Sequence, residues 1–187
     1  MARALAGLSL GLLLGLLPAS LLIGRPAAAD DLDRLLQPLG LTAASGKPAA
    51  FSLPATSGGK MSLAEQQGKV VLVYFWATWC PYCRRELPAG VEQVARERRG
   101  QPFTVLAVSV EEPKDLVASW AKGAGLTIPV LLDYDGAVAR DYRVTATPTV
   151  FLIGRDGRLV ARAAGNREWE GPAGRALLDA LVAAPAK

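Results

Sequence analysis

Histidine is absent from this sequence, and cysteine occurs only twice, as Cys80 and Cys83. A closed zinc site takes four ligands, and two cysteines without a histidine do not complete one. Lying three residues apart, they also cannot belong to a long-range disulfide framework, so their chemistry is local. No cysteine precedes Cys80, which excludes a lipid-anchored cysteine. A strong charge excess is missing too. Of 21 basic and 17 acidic residues, Arg3 and Arg25 fall in an N-terminal stretch without acidic residues, leaving 19 against 17. That balance argues against a nucleic-acid partner. The dense basic run Arg96-Glu97-Arg98-Arg99-Gly100 reads as the last turn of a helix, with cations at the negative end of the dipole and a glycine cap. Internal repeats and low-complexity domains are absent as well.

What is present suffices for one domain with a sizeable core, since 51% of the 187 residues are hydrophobic. Residues 4–24 carry no charge, follow Arg3 and lead into Ala27-Ala28-Ala29 and Asp30. The pattern is that of an export signal: a signal peptide cleaved after Ala29, or an uncleaved membrane anchor. Pro18, the glycines and the small residues favour cleavage. The expected organisation is therefore residues 1–29 as signal or anchor, 30–45 as a short helix and linker, and 46–187 as the functional domain. The excess of arginine over lysine and the abundant alanine and glycine fit a GC-rich bacterial genome, which makes the periplasm the expected compartment.

Leu32, Leu35, Leu36 and Leu39 form the apolar stripe of a helix over 30–41 ended by Gly40, with a linker over 43–49. A small hairpin is expected from 51–53 and 60–62 around Ser57-Gly58-Gly59. Residues 69–76 are a nearly continuous apolar run, short and rich in β-branched and aromatic side chains, and predict a buried central strand. A helix over 81–99 follows, interrupted at Pro88. Further strands are expected at 103–110 and 129–132, with helices at 113–122 and 136–142. Strands alternating with helices imply parallel pairing. Strands at 149–153 and 158–163, joined by Gly154-Arg155-Asp156-Gly157, end the sheet antiparallel. A last helix runs over 172–184, burying Leu177, Leu178, Leu181 and Val182.

The stretch Phe75-Trp76-Ala77-Thr78-Trp79-Cys80-Pro81-Tyr82-Cys83 puts a dithiol at the joint between a buried strand and a helix. At the helix N-terminus, unpaired N–H groups and the dipole favour the thiolate of Cys80, the form that attacks a disulfide. Cys83, one turn on and expected to be more buried, would resolve the mixed disulfide. Neither a metal nor an organic cofactor is called for. A static disulfide or half of a metal site is the competing reading of the pair. Trp79 and Tyr82 flank the nucleophile as an apolar rim for protein substrates. Trp76, Trp120 and Trp169 read as packing residues.

These residues resemble the TlpA/ResA-type branch of the thioredoxin superfamily. The likeness covers Gly46 to Ala184 and is carried by segments 46–54, 68–73, the active-site run and Tyr142 to Ile153. It implies an α/β thioredoxin fold, a mixed central sheet flanked by helices, with an N-terminal β-hairpin and an inserted helix and strand between Glu111 and Leu132. It also implies that Pro148 is cis and lies against the dithiol. There the backbone of Thr147 would pair with an extended substrate segment, with Trp79, Pro81 and Tyr82 completing the contact surface. Members of the branch carry an acidic residue where Glu86 stands, near the dithiol, which would relay a proton and oppose thiolate formation. An exposed Glu86 paired with Arg84 or Arg85 is the alternative. Tyr74 departs from the pattern: thioredoxins have a buried Asp there and this branch often Asn, so Glu86 or water would have to replace its proton handling.

The resemblance implies a reductase kept reduced by a membrane electron donor and acting, as a monomer, on cysteine pairs of exported proteins. Apocytochrome c in cytochrome c maturation, a copper-site assembly protein and an oxidised partner reductase are all open as substrates. A dithiol oxidant shares the same motif. A copper(I) carrier is the binding-module alternative, against which the missing histidine speaks. Peroxiredoxins place Thr or Ser three residues before the reactive cysteine and Pro four earlier still, where this chain has Ala77 and Val73.

Overall fold

In the computed structural model, which describes residues 27–186, helix α1 spans Ala27–Leu36. A 3-10 turn, Gln37–Leu39, closes it on Gly40 at φ 58°, the left-handed value that glycine takes without a Cβ clash. The export signal read in residues 4–24 lies outside the described residues. Among the described residues no helix is long and apolar enough to cross a membrane.

Thr42–Ala43 (β1) is followed by the hairpin strands Ser52–Pro54 (β2) and Lys60–Ser62 (β3). Next come Val70–Trp76 (β4), Phe103–Val110 (β5), Val130–Asp133 (β6), Thr149–Ile153 (β7) and Leu159–Ala164 (β8). Helices Pro81–Glu86 (α2), Glu92–Glu97 (α3), Lys114–Gly123 (α4), Ala137–Asp141 (α5) and Pro172–Ala183 (α6) complete the chain. The six-stranded sheet has the order β1-β8-β7-β4-β5-β6, parallel across β4, β5 and β6 and antiparallel on the other side. This is the thioredoxin-type α/β sheet with its separate β2–β3 hairpin, which the isolated bridge Ala55–Leu131 ties to β6.

β4 is buried throughout because both faces of the sheet are covered. The pleat sends Val70, Leu72, Tyr74 and Trp76 to one face, against Leu87, Val91, Trp169 and Leu177. Val71, Val73 and Phe75 go to the other, against Phe51, Val138, Tyr142 and Phe151. Tyr74 is thereby aimed at the layer that contains α2. The helix break expected at Pro88 is a π-helical turn, Leu87–Val91, in which the Glu92 N–H donates to the Leu87 carbonyl five residues back.

One expectation needs correction. The linker over 43–49 joins the sheet in part: β1 pairs with β8, Ala44 N–H donates to Val160 O, and Leu159 N–H donates to Gly46 O. Leu36, Leu39 and Leu41 sink into the core and hold this edge in place, a tertiary effect on a stretch with weak strand propensity. The basic run closes α3, with Arg96 in its last turn and Gly100 just beyond at φ 80°. Arg98 is buried, with its guanidinium donating to Asp179 Oδ1 at 2.6 Å and to the Val94 and Arg175 carbonyls, and so clamps α3 to α6.

Candidate active site

β4 delivers the chain to Ala77, and a turn closed by the Cys80 N–H on the Ala77 carbonyl reverses it into α2. Cys80 is the N-cap, with φ −78° and ψ 113°, and Pro81 occupies the first turn, where its missing N–H costs nothing. Cys80 and Cys83 are joined as a disulfide. The Cys83 N–H donates to Cys80 Sγ at 3.2 Å, a free helix N–H directed at the sulfur. Both cysteines are buried, Cys80 at 2% exposure and Cys83 at 0%, so the expected contrast in burial is small. Position at the helix terminus distinguishes them instead.

The Thr147–Pro148 peptide is cis, and the Thr147 carbonyl oxygen lies 3.4 Å from Cys80 Sγ. Trp79 and Tyr82 are 71% and 52% exposed, Pro81 is exposed between them, and the Arg85 guanidinium lies 5.2 Å from the Tyr82 ring centroid. Trp76 is fully buried and packs on Trp120 at a ring separation of 4.9 Å.

Glu86 shares a helix face with Cys83, one turn away. It is buried, which excludes the solvent-exposed pairing with Arg84 or Arg85. Its Oε1 accepts from the Arg167 backbone N–H at 2.9 Å and from Trp169 Nε1 at 2.8 Å, and its Oε2 accepts from the Tyr74 hydroxyl at 2.8 Å. Burial pushes the carboxyl up to about 7. Its three donors and the more distant Arg167 charge oppose that rise without cancelling it. Burial, with the Glu86 charge next to it, drives the Tyr74 phenol well above its ordinary range, so it remains a neutral donor. A cavity of about 200 Å³ beside Tyr82, Arg85 and Ala89 has Glu86 in its wall.

Tyr74 thus acts on Glu86 rather than leaving it alone. Tyr74→Phe removes one donor from a charged carboxylate while keeping the ring. The expected loss is about 1–3 kcal/mol at pH 8 and less at pH 5, where the carboxyl is protonated. Urea unfolding at both values checks this, and an equal loss contradicts it.

In the sequence Trp169 reads as a packing residue, and nothing there singles out Arg167. Their bonds to Glu86 span 83 and 81 residues and leave no local sequence signal. Glu112 was also missed: it is buried behind the cysteine turn and accepts from Thr78 and Ser109. Among the described residues no three His, Cys, Asp or Glu side chains gather into a metal-binding group.

Residues 45–162 match the AhpC/TSA family. The thiol-disulfide oxidoreductase ResA of Bacillus subtilis is 36% identical over 116 residues, covering 62% of this chain and 64% of the relative. The thioredoxin-like protein YneN of the same organism is 41% identical over 110 residues, covering 57% and 63%. The chain therefore matches just under two thirds of each relative's length. Among solved structures, a thiol:disulfide interchange protein of the thioredoxin family from Chlorobium tepidum superposes with a TM-score of 0.66 at 27% identity, covering 75% of this chain and 99% of that one.

Proposed function

Because this chain belongs to the AhpC/TSA family, within the thioredoxin superfamily, we propose that it is an exported thiol:disulfide oxidoreductase acting as a reductase on cysteine pairs of other proteins. The observation that carries this reading is the Cys80–Cys83 disulfide at the first turn of α2, beside the Thr147 carbonyl. Its similarity to thiol-disulfide oxidoreductases supports it.

In the reduced protein the Cys80 thiolate attacks one sulfur of a partner disulfide. A Cys80–partner bond forms, the partner's S–S bond breaks, and its second sulfur leaves as a thiolate and takes up a proton. Cys83, as thiolate, then attacks Cys80 Sγ, restoring the internal disulfide and releasing the partner's other sulfur. Two electrons and two protons pass to the partner, and a dithiol donor at the membrane resets the enzyme. The peptide N–H at Cys83 favours the Cys80 thiolate, while Glu86 is the nearby group able to take or return a proton near pH 7. Trp79, Pro81 and Tyr82 form the rim against which a partner packs, and the Thr147 backbone holds its extended segment against Pro148. The periplasm is the proposed compartment and a monomer the proposed form. Haem-site cysteines and copper-site assembly proteins are the proposed substrate classes.

A peroxidase reading would need Thr or Ser at Ala77 and Pro at Val73, both of which are buried apolar residues here. A reductase and an oxidant differ in potential. The expected value lies nearer thioredoxin's about −270 mV than the strong oxidant's about −120 mV. Equilibration with dithiothreitol and glutathione buffers measures it, and a value near the oxidant's end would reverse the proposed electron flow.

A further inference from the structure

Glu112 is 5% exposed and sits in the loop between β5 and α4, just where the inserted helix begins. Its Oε2 accepts from the Thr78 backbone N–H at 2.8 Å and from Ser109 Oγ at 2.8 Å, and its Oε1 accepts from the Thr78 hydroxyl. Among the described residues no cation pairs with it. Burying a carboxylate is costly unless donors satisfy it, and two of its three donors come from one residue. That residue, Thr78, lies in the turn that the Cys80 N–H closes on Ala77 O. The approach is held from the other side as well. Glu111 takes a left-handed φ of 56°, and its N–H donates to Asp133 O, which fixes the backbone that presents Glu112.

The geometry points to Glu112 as a positioning residue that locks the Ala77–Cys80 turn to the end of β5 and so holds Cys80 opposite Cys83. The inference rests on the thiol:disulfide reading of the site and gives the insertion a task there. With the turn anchored, the two sulfurs stay at high effective concentration and the internal disulfide is favoured. With the anchor gone, Cys80 leaves that position part of the time and the dithiol form gains.

Glu112→Gln separates this role from one of charge. The amide oxygen at the Oε2 position keeps Thr78 N–H and Ser109, and the amide nitrogen donates to a Thr78 hydroxyl turned to accept. Equilibrium constants against dithiothreitol are measured for the parent, Glu112→Ala, Glu112→Gln and Thr78→Val. The expected result is a shift of about tenfold toward the dithiol for Glu112→Ala, equivalent to about 30 mV. Glu112→Gln should stay within about twofold of the parent, and Thr78→Val should show part of the alanine shift. An unchanged equilibrium in Glu112→Ala alongside a lowered melting temperature overturns the inference, because packing alone would then be at stake. Glu112→Gln shifting as far as alanine also overturns it, in favour of a through-space charge effect. If Glu112→Ala does not fold, Thr78→Val decides, and no shift there sinks the idea. A parent dithiol that fails to cycle at all would instead refute the functional reading itself.

Discussion

Cys80→Ser is expected to reduce disulfide exchange to the uncatalysed background, whereas Cys83→Ser is expected to attack once and accumulate as a mixed disulfide. The asymmetry follows from the helix. Only Cys80 occupies the N-cap and receives a peptide N–H on its sulfur, so only Cys80 has the stabilised thiolate that starts the reaction. Cys83 acts second, on a sulfur already linked to the partner, and its loss removes only the resolving step. Non-reducing electrophoresis after mixing each reduced variant with a disulfide-bonded protein reads the outcome directly. Equal trapping by both variants would show that either sulfur can open the reaction, and the assigned order would fail. The same Cys83 variant, expressed in cells, retrieves the physiological partner as a covalent adduct.

Glu86→Gln is expected to change both the stability and the thiol chemistry, and both effects need the pH at which the parent carboxyl ionises. A carboxyl whose folded pKa lies above its unfolded value stabilises the fold fully below the unfolded value, and this contribution disappears as pH rises through the folded one. For Glu86 that window runs from 4.5 to about 7. At about 1.4 kcal/mol per pH unit, the gap corresponds to about 3 kcal/mol lost between acid and pH 8. Gln suits the same cage, because its oxygen can accept from Arg167 N–H and Trp169 Nε1 while its nitrogen donates to the Tyr74 oxygen. The variant should therefore lack this fall and exceed the parent above pH 7, as urea midpoints from pH 4 to 9 would report. Above pH 7 the parent's ionised Glu86 opposes thiolate formation, so the variant's thiols should titrate lower. The thiols and the carboxyl form a coupled set, and whole alkylation-rate profiles are the proper comparison. Superimposable profiles would remove Glu86 from the thiol chemistry.

The strands that matter most were legible because their signals are local. The runs at 69–76, 103–110 and 149–153 are largely apolar, β-rich and bounded by turns, and they contain β4, β5 and β7. Cys80 and Cys83 were legible for the same reason, being a short motif at a strand-to-helix joint. What escaped is what the fold assembles at a distance. β1 has two residues and exists because Leu36, Leu39 and Leu41 anchor its edge. Tyr74 read as a missing acid, and only the pleat of β4 shows that its hydroxyl reaches the carboxylate on α2. Glu112 stands just before the helix expected at 113–122, with nothing in its neighbours to mark a bond across 34 residues.

Both buried carboxylates at this site take one of their bonds from main chain: Glu86 from the N–H of residue 167, Glu112 from the N–H of residue 78. Such bonds do not depend on which side chain the donor carries. At residue 167 the guanidinium's charge has a smaller effect on Glu86 than the peptide N–H beside it, so most replacements there would leave the main restraint intact. An alanine scan would pass over it, and only proline, which has no N–H, deletes it. The task toward Glu86 thus rests on the peptide of residue 167, while its guanidinium donates to the Gly40 and Ala164 carbonyls, a part of the site written in chain path rather than in residue identity.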